Sequence, residues 1–193
     1  MAIAKVLIFA GSARKDSTNH KLATAAAKMA TAAGAAVTLV NLADYPMPLY
    51  DGDLEASSGL PENAIKLKQL MIAHQAFIIA SPEYNSSISP LLKNALDWAS
   101  RVHEKDEPGL VAYRGKVAGL LSASPGGLGG LRGLVHLRDI LGNIGMHVVP
   151  EQAAVGGAFD AFDTDGNLIN ESQRNMVNSV VSSVVHTTER LFS

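Results

Sequence analysis

The residues best suited to chemistry follow an apolar run at Ala76–Ala80, which predicts a buried strand. The loop Pro82–Asn85 then supplies one carboxylate, one aromatic ring and one amide. Ser89 and Pro90 begin an amphipathic helix, as a cap residue followed by proline at the first helical position. Open α/β sheets bind ligands at the carboxyl ends of their buried strands, so this loop predicts one wall of a ligand site. A rigid turn in which Glu83 caps backbone groups is the alternative.

A second loop with ligand chemistry, Gly11–Asn19, follows the apolar segment Lys5–Ala10. A helix start presents free N–H groups and the positive end of its dipole, and an arginine adds charge-assisted hydrogen bonds. These features predict a terminal phosphate as the ligand, with an ordinary helix capped by Ser17 as the alternative. The polar side chains of this loop are Ser12, Arg14, Ser17 and Asn19.

A third loop, Ser124–Gly130, follows the apolar segment Lys116–Ala123 and contains four glycines. Glycine permits close approach of the backbone to a flat ligand. The loop therefore predicts another wall of the same site, and a flexible connector is the alternative.

Five apolar segments predict five strands, and helices are predicted between them. The predicted strands are Lys5–Ala10, Ala36–Leu42, Ala76–Ala80, Lys116–Ala123, and a last strand made of Met146–Val149 and Ala153–Val155 with an interruption at Pro150. The predicted helices cover residues 19–33 and 61–73, a segment that starts at Pro90, a segment that ends near Asn143, and residues 171–191. Asp44–Leu60 has no clear period and predicts a long surface loop.

Strands that alternate with helices favour an α/β fold with three layers and a doubly wound parallel sheet. Five strands favour the flavodoxin-like order 2-1-3-4-5, in which strands 1, 3 and 4 are neighbours. The three loops then converge at one edge of the sheet. We see no linker or internal repeat, so residues 1–193 are expected to form a single domain.

The composition limits the kinds of partner that the protein is expected to bind and the compartment in which it is expected. Of the 193 residues, 47% are hydrophobic and 18% charged, with a net charge of -2, which argues against a nucleic-acid partner. The chain has no cysteine, which excludes disulfides and thiolate metal sites. No apolar stretch is long enough for a membrane span, so we expect a cytoplasmic protein. The histidines lack metal-ligand spacing, and Asp163–Gly166 lacks the flanking acids of a calcium loop, so no metal is expected.

Three motifs together resemble one known family. They are Gly11-Ser-x-Arg14-x-x-Ser17-x-Asn19, Pro82-Glu83-Tyr84-Asn85, and Ser124-Pro125-Gly126-Gly127 with Arg132 downstream. In these the chain is similar to the NAD(P)H-dependent FMN reductases of flavodoxin-like fold, the group that includes chromate and quinone reductases and azoreductases. The similarity covers nearly the whole chain. Many members have Pro-Gly where this chain has Ser89-Pro90, which leaves helix initiation intact but changes the rim of the pocket.

The resemblance implies one FMN per subunit. It implies that the phosphate is held by Ser12, Arg14, Ser17 and Asn19. It implies that the isoalloxazine ring runs along Pro82, Glu83, Tyr84 and Asn85, with Ser124, Gly126 and Gly127 at its other edge. It also implies a homodimer or homotetramer, with the helix that carries Leu92, Leu96 and Trp98 as an interface element.

The implied reaction is ping-pong. NADPH or NADH would pass a hydride to the flavin and leave, and a quinone, free flavin, azo compound or metal oxyanion would then take its place. The flavin carries the redox chemistry, so no catalytic side chain is assigned. The alternatives are a flavodoxin-type electron carrier and a flavin-binding protein without turnover.

Overall fold

Seven strands and six α-helices run through residues 2–193, which are the residues that the computed structural model describes. The strands are β1 (Lys5–Ala10), β2 (Ala36–Asn41), β3 (Ala76–Ala80), β4 (Glu83–Tyr84), β5 (Ser87–Ile88), β6 (Val117–Ala123) and β7 (His147–Val155). The helices are α1 (Thr18–Ala32), α2 (Gly52–Ser58), α3 (Glu62–Ala73), α4 (Pro90–Ala99), α5 (Leu131–Asn143) and α6 (Glu171–Leu191).

Five strands form one parallel sheet in the order β2-β1-β3-β6-β7. This confirms the predicted order 2-1-3-4-5, because β6 and β7 are the fourth and fifth strands of the sheet. Every residue of β3 and β6 is buried, since helices cover both faces of the sheet. One face packs against α1 and α6, and the other packs against α3, α4 and α5. The predicted three-layer architecture is therefore confirmed.

The loops after β1, β3 and β6 begin side by side. The Gly11 N–H donates to the Ala80 carbonyl at 2.9 Å, and the Ser81 N–H donates to the Leu121 carbonyl at 2.8 Å. These bonds continue the pairing of the central strands to the start of the loops. The first and second loops therefore leave the sheet from neighbouring strands, with the third loop beside the second.

The prediction of one long loop over Asp44–Leu60 is wrong in part, because α2 lies within it. Asp51 starts this helix by accepting hydrogen bonds from the N–H groups of Asp53 at 2.8 Å and Leu54 at 3.4 Å. None of the residues of α2 is buried. A helix without a buried face lacks the apolar period on which the prediction depends.

The predicted interruption of the last strand at Pro150 is also wrong, because β7 is continuous. Its pairing with β6 shifts, so that Ala118 is opposite Val148 but Leu120 is opposite Gln152. The extra residues of β7 form a bulge that contains Pro150. Proline has no N–H group to donate to the ladder, and an edge strand with a bulge can accommodate it.

The helix α4 packs within the chain through the three apolar side chains named above. Leu92, Leu96 and Trp98 are all buried within the chain itself. The indole Nε1–H of Trp98 donates to the Pro48 carbonyl at 2.8 Å, and the ring of Tyr50 meets the indole edge-on at 5.0 Å. The segment before α2 therefore covers this part of α4, and the role of α4 as an interface element stays a prediction.

No helix in residues 2–193 is long and apolar enough to cross a membrane. The same residues contain no group of three or more histidine, aspartate or glutamate side chains that could hold a metal ion.

A buried ion pair anchors the segment that follows α4. The ammonium of Lys68 on α3 contacts the carboxylate of Glu107, and their side chains are 4% and 11% exposed. The Glu107 carboxylate also accepts the N–H groups of His103 at 2.8 Å and Glu104 at 3.1 Å. Burial alone would raise the pKa of Glu107, but Lys68 and the two N–H groups outweigh it and lower the pKa to about 2.

We expect Glu107→Gln to lower the free energy of unfolding by about 3 kcal/mol at pH 7, because it leaves the Lys68 ammonium buried opposite a neutral group. The folded-state pKa of about 2 lies below the ordinary value of 4.5. The stabilisation is therefore present above about pH 4.5 and is lost as the pH falls towards 2. Urea denaturation across this range should show a weaker pH dependence in the variant than in the natural protein.

The matched control is Glu104→Gln, since the Glu104 side chain lies on the same segment but is 78% exposed. We expect the control to change the free energy of unfolding by less than about 0.5 kcal/mol. Equal stability of the two variants at pH 7 would contradict the importance of the buried pair.

Candidate functional site

A cavity of about 100 Å³ lies at the carboxyl edge of the sheet, where the three predicted loops meet. Eight of the predicted residues line it, namely Ser12, Arg14, Ser17, Asn19, Pro82, Glu83, Tyr84 and Ser124. Thr18, Ala123 and Pro125 also line it and were not predicted, although each adjoins a predicted residue. Asn85, Gly126 and Gly127 lie in the same loops but outside this lining.

The first loop holds two serine hydroxyls in fixed positions. The Oγ of Ser12 accepts the Arg14 N–H at 3.3 Å, and the Oγ of Ser17 caps α1 by accepting the His20 N–H at 3.4 Å. Both serines are about 95% buried. Because each hydroxyl acts as an acceptor in these bonds, its own hydrogen remains available to a ligand.

Arg14 is the charged group of the first loop. It is exposed, and no hydrogen bond or ion pair of its guanidinium is found among residues 2–193. The N–H groups at the start of α1 lie beside it. Free N–H groups at a helix start commonly bind anions such as phosphate. The Nε2 of His20, on α1, lies 2.6 Å from the Ser12 carbonyl and fixes the loop. This end of the cavity therefore combines positive charge with donors suited to a phosphate.

Asn19 joins the first loop to the strand before the third. Its Oδ1 accepts the Ala123 N–H and its Nδ2 donates to the Ala123 carbonyl, both at 2.9 Å. Only 3% of Asn19 is exposed. Both polar atoms of the amide are thus used by the backbone, so Asn19 fixes the wall of the cavity between α1 and β6.

The second loop is a hairpin made of β4 and β5 with two residues at its turn. Asn85 and Ser86 have φ angles of 50° and 67°, the left-handed conformation that both turn positions need in a type I′ hairpin. The tight turn holds the backbone of residues 82–85 along the edge of the cavity. Tyr84 is 47% exposed and stands at its mouth.

The carboxylate of Glu83 does not point at a ligand but bonds to α5. Its Oε1 lies 2.8 Å from Nη2 and 3.0 Å from Nε of Arg132, and its Oε2 accepts the Gly133 N–H at 3.2 Å. Glu83 therefore caps α5 from another loop, because Gly130 at the N-cap position has no side chain to do so. What Glu83 offers to a ligand is its backbone.

Ser89, where the chain departs from the pattern of the similar family, joins the second loop to the first. Its Oγ donates to the Gly11 carbonyl at 2.5 Å and accepts the Leu92 N–H at 3.1 Å, which caps α4. A Cβ on Gly11 would lie 3.0 Å from the Cβ of Leu92 and 3.2 Å from the Cδ of Pro82. Glycine is needed here for the first loop to pack so closely on α4.

The third loop leaves open space beside its backbone. A Cβ added at Gly127 would meet no atom within 4 Å, and one added at Gly126 would meet only the Oγ of Ser124, at 4.0 Å. Gly129 is different, because it has a φ of 61° and its Cβ would lie 2.7 Å from the backbone of Val155. Gly129 thus serves the packing of the loop on β7, while Gly126 and Gly127 expose a bare backbone to a ligand.

A second cavity of about 360 Å³ adjoins the first. Ser12, Arg14 and Tyr84 border both cavities. The wall opposite them is the start of α4, at Ser89–Leu91. Larger grooves of about 710 Å³ along α6 and about 500 Å³ beside Tyr50 and Arg101 do not border the three loops.

These features fit a flat ligand that carries a phosphate. Donors lie at one end of the cavity beside the Arg14 guanidinium, which has no partner among residues 2–193, and the fixed turn of the second loop lies along one side. The bare backbone of Gly126 and Gly127 follows directly after the lining residues Ser124 and Pro125. The arrangement matches the parts of FMN, with a phosphate at a helix start and a ring between two loops. The one carboxylate among the predicted site residues, Glu83, is bonded to α5, so no general acid or base is assigned.

Comparisons with known proteins point the same way. A family profile described as NADPH-dependent FMN reductase matches residues 4–160. An NADPH:quinone oxidoreductase of Arabidopsis thaliana is 33% identical over 190 residues, which cover 97% of this chain and 93% of that protein. An NAD(P)H-dependent FMN reductase of Pseudomonas aeruginosa is 33% identical over 189 residues, which cover 97% and 96%. Among solved structures, a flavoenzyme NAD(P)H:(acceptor) oxidoreductase of Paracoccus denitrificans superposes with a TM-score of 0.81 at 29% identity, covering 97% of this chain and 98% of that one.

The contact between Asn19 and Ala123 predicts a stability effect. We expect Asn19→Ala to lower the free energy of unfolding by about 1–3 kcal/mol, because a buried N–H and a buried carbonyl lose their partners. Urea denaturation measures this change. Asn175→Ala on the exposed side of α6 is the control, and a loss no larger than that of the control would contradict the structural role of Asn19.

Proposed function

We propose, because this chain belongs to the NADPH-dependent FMN reductase family, that it binds one FMN where the three loops meet and reduces a small-molecule acceptor with electrons from NADPH or NADH. The observation that carries the proposal is the cavity itself. Three loops that are far apart in sequence contribute its lining, and the Arg14 guanidinium beside it has no partner among residues 2–193.

The proposed roles of the residues follow from their chemistry. The phosphate would be held by the hydroxyls of Ser12 and Ser17, the guanidinium of Arg14 and the N–H groups at the start of α1, with Asn19 holding this end of the wall. The backbone of Pro82, Glu83, Tyr84 and Asn85 would face one edge of the ring. Ser124, Gly126 and Gly127 would face another edge, where no Cβ atom intrudes.

When bound, FMN would supply the two-electron chemistry, so that nicotinamide and acceptor use the site in turn in a ping-pong scheme. The protein orients the reactants and stabilises charge. Backbone N–H groups along the second loop would stabilise negative charge at the ring edge, as donors of an oxyanion hole do. The exposed ring of Tyr84 and the second cavity provide a partly apolar surface at the mouth for the incoming reactant.

Quinones are the acceptors that we favour, since the similar Arabidopsis protein is named an NADPH:quinone oxidoreductase. Free flavins, azo compounds and metal oxyanions are further candidates. The half-exposed ring of Tyr84 at the mouth supports a broad range, because an aromatic face accepts flat molecules with different substituents.

We also propose that residues 1–193 form one domain and that the subunit self-associates. Support for one domain comes from the single parallel sheet that all long helices cover. Support for association comes from exposed apolar side chains on the third loop and α5, where Leu128, Leu131 and Val135 are 56%, 39% and 51% exposed. Light scattering after size exclusion would measure the molecular mass in solution.

The test of the activity is direct. Purified protein is mixed with FMN, NADPH or NADH and a quinone, and nicotinamide oxidation is followed by absorbance. We expect oxidation that depends on both FMN and the quinone, with parallel lines in double-reciprocal plots as ping-pong kinetics require. Binding of FMN without nicotinamide oxidation would instead favour an electron carrier or a binding protein without turnover.

The assignment of the phosphate loop predicts the effect of Arg14→Ala. We expect this variant to weaken FMN binding by roughly 1.5–3 kcal/mol, the range for a hydrogen bond to a charged group. Quenching of flavin fluorescence during titration measures the affinity. The control is Lys15→Ala, because Lys15 is the next residue and is exposed but does not line the cavity. Unchanged affinity in Arg14→Ala would mean that the phosphate loop is misassigned.

A further inference from the structure

We propose that Arg132 is a positioning residue of the cofactor site, which acts through Glu83 on the backbone of the hairpin β4–β5. The inference rests on the proposed function, because Glu83 and Tyr84 line the cavity assigned to FMN. Arg132 itself does not line the cavity. Its effect must therefore pass through the residue that it holds.

The hairpin lies directly on the first two turns of α5. A Cβ added at Gly133 would come within 3.2 Å of the Ser87 carbonyl and 3.4 Å of the Cβ of Glu83, so glycine allows this approach. One turn later, the Nδ1 of His136 lies 3.1 Å from the Oγ of Ser87. The fork of Arg132 adds the charged contact at the end of the hairpin next to the cavity. The hairpin thus takes its position from α5.

The burial of Glu83 makes this contact consequential. The Glu83 side chain is 10% exposed, whereas that of Arg132 is 61% exposed. Loss of Arg132 would therefore leave a nearly buried carboxylate with the Gly133 N–H as its remaining donor. An ionised group in that position either moves out to water or stays under-bonded at a free-energy cost.

Each of these two responses of the Glu83 carboxylate would change the cofactor site. If the carboxylate moves outward, its bonds to α5 are lost, and the backbone of the hairpin is no longer fixed at the end next to the cavity. If it stays, a negative charge without its counterion stands in the wall of the cavity. A nearby negative charge disfavours a further negative charge, so it would make the reduction of bound FMN less favourable. In both cases the affinity for FMN or the reduction potential of bound FMN changes, and not only the stability of the protein.

The experiment compares Arg132→Ala with Arg138→Ala in the full chain. Arg138 lies on the same helix and makes three hydrogen bonds of its own, to the carbonyls of Val149 and Pro150 and to the side chain of Gln152. It contacts β7 and not the hairpin, so it controls for the loss of a bonded arginine from α5. The measurements are FMN affinity by fluorescence titration, the midpoint potential of bound FMN, and hydrogen exchange of residues 83–88 without cofactor.

We expect Arg132→Ala to bind FMN about tenfold more weakly, which corresponds to the low end for a charge-assisted hydrogen bond. Its midpoint potential should be more negative, and residues 83–88 should exchange faster than in the natural protein. Arg132→Lys keeps the positive charge but loses the fork, so it should restore most of the potential and part of the affinity. This variant also carries the test if Arg132→Ala fails to fold.

The inference would be overturned if Arg132→Ala matched Arg138→Ala in FMN affinity, potential and exchange of the hairpin. It would also be overturned if Arg132→Lys bound FMN with the same affinity and potential as Arg132→Ala. Failure of the proposed function would look different, since the natural protein itself would then bind no FMN or would oxidise no nicotinamide.

Discussion

The site depends on one constraint, which is that three parallel strands end at the same edge of one sheet. The bonds from Gly11 to Ala80 and from Ser81 to Leu121 continue the pairing to the start of the loops. Chains that leave neighbouring strands in this way begin only one strand spacing apart, about 5 Å. Loops separated by about 70 and 40 residues in sequence are therefore brought together by backbone hydrogen bonds before any side chain takes part.

The parts of the fold that depend on local pattern could be predicted from the sequence. The predicted strand Lys5–Ala10 has the observed bounds, and the helix after Asn170 is observed over Glu171–Leu191. Continuous apolar runs specify strands that are buried on both faces, and a cap residue specifies a helix start. α2 could not be found in this way, because its start depends on the Asp51 cap while none of its residues is buried.

The parts of the site that depend on distant partners could not be predicted. Asn19 is 104 residues from Ala123, and Glu83 is 49 residues from Arg132, so no local period links them. The polarity of Asn19 and Glu83 indicated that these residues matter. A backbone cap by Glu83 was one expected alternative, but its partners Arg132 and Gly133 on α5 could not be named from the sequence. The same limit applies to Trp98, whose cover comes from residues about 50 positions earlier.

Polar contacts join the loops of the site to one another or to the elements beside them. Ser89 joins the second loop to the first, Asn19 joins the first to the end of β6, and Glu83 joins the second to α5. Hydrogen bonds are directional, so such contacts fix orientation where apolar packing would fix only proximity. The loops are thereby set before a ligand arrives, which lowers the entropy cost of binding.

The way in which these polar groups are used determines what the site can recognise. The polar side chains of the rim are largely used to hold the loops together, and the groups left for a ligand are serine hydroxyls, the Arg14 guanidinium and backbone N–H groups. Such groups recognise a phosphate and the edge of a ring. The half-exposed ring of Tyr84 borders the cavity and offers a face on which a flat reactant would stack. In the proposed function, specificity would therefore reside in the bound FMN, and the choice of acceptor would be left to its redox chemistry and flatness.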